Sequence, residues 1–103
     1  MRIYIKSSKK GIDAWAEYDP GKKTVIVKAG SRVSEDITEA PSSRSKKVVH
    51  SKREGIVKNG VLQQDVQFLS FSTSATFVYG SDRNGWLAWK NENGRTMKEL
   101  FNR

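Results

Sequence analysis

Ile12-Asp13-Ala14-Trp15-Ala16-Glu17-Tyr18, then Asp19-Pro20-Gly21-Lys22, then Thr24-Val25-Ile26-Val27-Lys28 is the stretch whose reading decides the fold. In an extended chain successive side chains point to opposite faces, so Ile12, Ala14, Ala16 and Tyr18 share one side while Asp13, Trp15 and Glu17 take the other. Asp19-Pro20-Gly21-Lys22 reads as a turn, because Pro presets its second position and Gly tolerates the positive φ that follows. The β-branched run after it suits a pleated surface. Arg2-Ile3-Tyr4-Ile5-Lys6 alternates in the same way, joined to Ile12 by the polar turn Ser7-Ser8-Lys9-Lys10-Gly11. An N-terminal antiparallel β-meander of three strands is expected. Simple register between its first two strands places Tyr4 and Trp15 on one face with Arg2 and Lys6 beside them. Those aromatics then either form a stacking platform for single-stranded nucleic acid or lie under a helix, burial being the favoured of the two.

Downstream the pattern changes. Residues 30–41 are polar and without period, a loop. Pro41-Ser42-Ser43 resembles a helix start with a hydroxyl cap, and a basic helix is expected from Arg44 to Asn59, closed by Gly60. Phe68-Leu69-Ser70-Phe71 leads to Ser72 as the expected cap of a short helix, Thr73 to Tyr79, with Ala75, Val78 and Tyr79 as its core stripe and Gly80 as its end. Asn84-Gly85 reads as a backbone turn requiring positive φ, and Trp86-Leu87-Ala88-Trp89-Lys90 as a short strand. Thr96-Met97-Lys98-Glu99 is a capping box that opens a C-terminal helical turn through Leu100 and Phe101. The expected class is α+β in a single domain, 1–103.

The chain has no cysteine, which excludes disulfides, thiolate zinc sites and cysteine nucleophiles. No run approaches the roughly 18–20 apolar residues of a membrane span, so no membrane is expected among its partners and a cytoplasmic location is expected. A net charge of +8 at pH 7 on 103 residues predicts attraction to polyanions.

Enzyme machinery is not evident. The single histidine, His50, stands among Lys46, Lys47, Lys52 and Arg53, and no neighbouring carboxylate is placed to orient it. Glu35-Asp36 and Glu92 are isolated acids in expected loops, and the serines of residues 70–74 have the context of a helix cap rather than of a nucleophile. The expectation is a non-enzymatic chain without metal or other cofactor. Two segments are candidates for binding. One is the cation cluster Arg44, Lys46, Lys47, Lys52, Arg53 and Lys58, whose charges neutralise phosphates and release counterions. The other is Arg83, Asn84, Trp89 and Lys90, where cations flank an aromatic that can stack a base. Trp86 is favoured as a core residue, while Trp89 is left open between core and recognition.

Phe71-Ser72-Thr73-Ser74-Ala75, Val78-Tyr79-Gly80-Ser81, Asn84-Gly85-Trp86, Trp89-Lys90, Gly94-Arg95-Thr96 and Glu99-Leu100 together resemble a small bacterial domain of unknown function. That domain is often appended to GIY-YIG nucleases and restriction-modification proteins. It is similar to the restriction-enzyme adenine-methylase-associated domain, which shares the Ser-rich short helix, the Asn-Gly-Trp and the second Trp. Gly11-Ile12-Asp13-Ala14, Val27-Lys28-Ala29-Gly30-Ser31 and the segment from Arg53 to Gly60-Val61-Leu62 extend the resemblance over nearly the whole chain. It departs at Thr73, where the family usually has Pro, and at Thr76, where it usually has Ala. The resemblance implies a DNA-binding accessory module of a restriction-modification or nuclease system, with nucleic acid (DNA before RNA) and a nuclease or methylase as partners. The alternative is a protein-interaction adaptor that docks an acidic partner through the basic helix.

Overall fold

The computed structural model describes residues 1–35 and 52–101. Strands β1 (Arg2–Ser7), β2 (Ile12–Asp19) and β3 (Thr24–Val27) form the expected meander. A fourth strand, β6 (Val66–Phe68), adds to β3, giving an antiparallel sheet in the order β1-β2-β3-β6. Tyr4 pairs with Trp15 and Ile5 with Ala14, the simple register read from the sequence. The alternation holds: Ile3, Ile5, Ile12, Ala14, Ala16, Val25 and Val27 are buried, and Tyr4, Trp15 and Ile26 are partly exposed on the opposite face.

Helix α1 (Phe71–Tyr79) covers the buried face and contributes Phe71, Ala75, Phe77 and Val78 to the core. Two short helices, α2 (Gly85–Ala88) and α3 (Met97–Phe101), follow. The class is α+β, as expected. The capping box is present, with the Glu99 N–H donating to Thr96 Oγ1 at 3.2 Å and the Thr96 N–H to Glu99 Oε1 at 3.4 Å.

Four local readings need correction. Helical backbone at Lys52 and Arg53 does not continue to Asn59. Gly55 turns left-handed at φ 75°, and β4 (Val57–Lys58) pairs with β5 (Val61–Leu62) as a small second sheet. Asn59 and Gly60, at φ 53° and 77°, are the pair of positive-φ residues that a two-residue hairpin requires, and Val57 and Val61 beside them favour strand. That local chemistry outweighs a weakly amphipathic helix already broken by a glycine. The earlier part of the expected helix, with Arg44, Lys46, Lys47 and His50, lies outside the described residues.

Second, α1 begins one turn-fraction earlier than expected. Ser70, not Ser72, is its cap, its Oγ accepting the Thr73 N–H at 3.0 Å. Third, Trp86–Lys90 is not a strand. Asn84 caps a helical turn there, its Oδ1 accepting the Trp86 N–H at 3.0 Å and its carbonyl the Ala88 N–H at 3.0 Å. Only Lys90 bridges to neighbouring chain, at Tyr4 and Thr96.

Fourth, Gly85 is helical rather than left-handed, so its role is not φ freedom. A Cβ there would run into the backbone of Phe71 and Ser72. Glycine lets α2 lie directly on the first turn of α1. Gly85→Ala is expected to push the two apart and lower stability by about 3 kcal/mol, the upper end of an overpacking penalty; thermal unfolding followed by circular dichroism checks it, and an unchanged midpoint would refute it.

Candidate nucleic-acid interface

The outer face of the sheet carries aromatics among cations. The Arg2 guanidinium sits 4.7 Å from the centre of the Trp15 ring, Lys28 Nζ 5.9 Å from the same ring, and Lys6 Nζ 5.6 Å from the Tyr4 ring. Among the described residues no helix lies over them; α1 packs on the other side. The favoured burial therefore gives way to partial exposure. Two of these cations are already committed, however. Arg2 Nε meets Glu17 Oε1 at 3.2 Å, and Lys28 Nζ meets Asp65 Oδ2 at 2.9 Å. Asp65 also accepts the Ala29 N–H at 2.9 Å; that backbone bond first, and Lys28 second, hold its carboxyl below the usual carboxylate range. Trp15 is thus roofed by two cations that are each already paired with a carboxylate.

The edge of the same sheet is different. Lys90 pairs with Tyr4 across β1, the Tyr4 N–H donating to the Lys90 carbonyl at 2.7 Å and the Lys90 N–H to the Tyr4 carbonyl at 3.0 Å. This bridge and helix α2 enclose a cleft of about 560 Å³ lined by Tyr4, Lys6, Tyr79, Leu87, Lys90 and Glu92, among others. Leu87 is 49% exposed at its mouth. The Arg83 guanidinium lies 4.5 Å from the centre of the Tyr79 ring. Among the described residues Lys6, Arg83 and Lys90 take part in no ion pair. The structure thus brings Lys90 of the sequence candidates together with Tyr4 and Lys6 of the sheet on the cleft lining, while Arg83 lies over Tyr79, another residue of that lining.

The other candidates are placed elsewhere. Trp89 is fully buried and donates from Nε1 to Ser74 Oγ at 2.9 Å. It is a core residue, and its ring has no free face for a base. Asn84 is spent as the α2 cap. Lys52 and Lys58 are exposed, Lys58 in a two-residue strand rather than a helix.

Arg53 is a correction of a different kind. It is 9% exposed, and its guanidinium donates to the carbonyls of Ser34 at 2.6 Å, Phe77 and Val78. Phe77 and Val78 belong to the last turn of α1, whose carbonyls have no partner within the helix. Burial lowers the Arg53 pKa to about 10, so it remains a cation at neutral pH, but one turned inward. It closes the helix end and is not available to phosphate.

Nothing in a linear reading separates Arg53 from Lys52; only the carbonyls supplied by residues 34, 77 and 78 do. Tyr79 was readable as part of an apolar stripe and not as a cleft wall, since the wall exists only where β1 passes the end of α1. Among the described residues no three of His, Cys, Asp and Glu gather as a metal-binding group, and no helix is long and apolar enough to cross a membrane.

The family described as Domain of unknown function (DUF4357) matches residues 3–101, and the chain belongs to it. No curated protein and no solved structure matches the chain.

Arg53→Met keeps the apolar stem and removes the donors. It is expected to cost about 3 kcal/mol, because buried carbonyls lose charged hydrogen bonds, while affinity for nucleic acid stays unchanged. Urea unfolding paired with a binding titration checks it; a stable variant with weakened binding would return Arg53 to the interface.

Proposed function

We propose that the chain is a non-enzymatic DNA-binding accessory module that works beside a nuclease or methylase of a restriction-modification system. The observation that carries this reading is the edge cleft, lined by Lys6 and Lys90 with Tyr4 and Tyr79, and beside it Arg83 over the Tyr79 ring; among the described residues these three cations take part in no ion pair, in a chain of net charge +8. Unpaired cations are the ones that neutralise phosphate at no cost of breaking an existing pair. The side chains of the cleft named above are phenols, cations, one aliphatic group and one carboxylate, which suits binding rather than bond cleavage. Lys9, Lys10, Arg32 and Lys58, exposed or partly exposed and likewise without ion pairs among the described residues, add to the long-range attraction.

A second reading, a protein adaptor, draws on Leu69, which is 78% exposed on a groove it shares with Trp86 and Phe101. Salt separates the two, since phosphate contacts release counterions and apolar contacts do not.

Fluorescence anisotropy at about 50 mM salt is expected to show DNA binding in the micromolar range or weaker, with affinity falling log-linearly in salt. Lys6→Ala with Lys90→Ala should weaken binding to every DNA sequence alike and flatten the salt slope by about one per lost phosphate contact, with the thermal midpoint nearly unchanged. Absence of binding to any DNA at low salt would sink the proposal. No hydrolysis of DNA, RNA or phosphoesters is expected with or without divalent metal; a nuclease signal that survived repurification and vanished in a point variant would refute the non-enzymatic part.

A further inference from the structure

The aromatics of the edge cleft are set back between β1 and α2, and this bears on which form of DNA they suit. In a duplex the faces of the bases are covered by their neighbours, and only base edges and phosphates reach a protein. A recessed ring can meet a base face only when that base is unpaired. We propose that the cleft takes unpaired nucleotides of a single DNA strand, with a base stacked on Tyr4 or Tyr79 and the flanking phosphates held by Lys6, Arg83 and Lys90. This inference rests on the nucleic-acid reading of the same cleft.

In the free protein each ring already carries a cation that a base would have to replace. Arg83 lies over Tyr79 at 4.5 Å and Lys6 near Tyr4 at 5.6 Å, so both rings have a cation in attendance. Arg83, Lys6 and Lys90 are exposed, while both tyrosines are partly buried. A solvent-exposed cation on a ring is held by only about 0.5–1 kcal/mol, whereas a base stacked on an aromatic contributes roughly 1–3 kcal/mol. A base therefore displaces the cation from the ring, and the long side chain, tethered at the rim, swings to the phosphate beside that base. The same exchange is disfavoured at Trp15. There Arg2 and Lys28 are each bound to a carboxylate, Glu17 and Asp65, and freeing the ring would break ion pairs and leave those negative charges facing the strand. The cleft and not the centre of the sheet is the stacking site.

Volume and polarity agree with this occupant. About 560 Å³ is within the range of small-ligand clefts and is enough for individual nucleotides. Leu87 offers an apolar surface, and Glu92 is the one carboxylate on the lining among the described residues.

The test compares fluorescein-labelled oligo-dT, the oligo-dT·oligo-dA duplex and oligo-U on the whole chain at low salt. Oligo-dT is expected to bind about tenfold more tightly than the duplex. Tyr4→Leu and Tyr79→Leu, which keep apolar bulk, should each lower oligo-dT affinity about tenfold while leaving duplex affinity and the salt slope as they were; Tyr79→Phe should restore binding. Thermal midpoints of the variants are read alongside. If a leucine variant does not fold, quenching of tyrosine fluorescence in the native chain by oligo-dT and not by the duplex serves in its place. Equal affinity for strand and duplex, or equal loss of both in the leucine variants, would overturn the stacking and leave phosphate binding standing. Oligo-U bound tenfold more tightly than oligo-dT would overturn the assignment to DNA, and absence of binding to all three would remove the nucleic-acid reading as well.

Discussion

A buried indole must place its N–H on an acceptor, and the position of the whole C-terminal third follows from where Trp89 finds one. That acceptor is Ser74 Oγ, on the face of α1 turned to the core, and the same hydroxyl donates to the Phe71 carbonyl at 2.8 Å. Two neighbouring hydroxyls of the helix receive the rest of the segment. Ser72 Oγ accepts the Gly85 N–H at 3.1 Å and Thr76 Oγ1 the Arg83 N–H at 3.4 Å. With Gly85 lying against the Phe71 backbone, residues 83–89 are seated along α1 with little freedom to slide. Lys90 then emerges beside β1 and bridges Tyr4, which builds one wall of the cleft. The Ser-rich helix and the Asn-Gly-Trp are thus two halves of one joint.

Charge shows the same dependence on place. Among the described residues, cations that composition cannot distinguish are put to different uses. Arg53 is drawn inward to close the end of α1, and its positive charge serves carbonyls of the chain itself. Arg2 and Lys28 are balanced by Glu17 and Asp65 above Trp15. Lys6, Arg83 and Lys90 are exposed and, among the described residues, take part in no ion pair. A net charge says that a polyanion will be attracted; which side chains meet it depends on which carboxylates and carbonyls the fold brings near.

The alternation of Ile3, Ile5, Ala14, Ala16, Val25 and Val27 was enough to determine the three-stranded meander, its faces and its first register, because a period of two is a local property of the extended chain, whereas the fourth strand, Val66–Phe68, was not read from the sequence. The capping box at Thr96 was readable for the same reason, its partners standing three residues apart. The Asn59-Gly60 hairpin carried an equally local signal between two valines, and only a competing helix reading obscured it. Other features had no local trace. Gly85 is required by the backbone of a residue fourteen positions earlier, Arg53 by carbonyls at 34, 77 and 78, and Trp89 by a hydroxyl on another element. The cleft joins β1 to the ends of α1 and α2, so its aromatic and cationic walls meet only after the chain has closed on itself. Periodicity and turn chemistry act between neighbours and are written in the sequence; close approach, burial of a charge and the choice of which cation stays free act between segments far apart, and tertiary structure alone decided them.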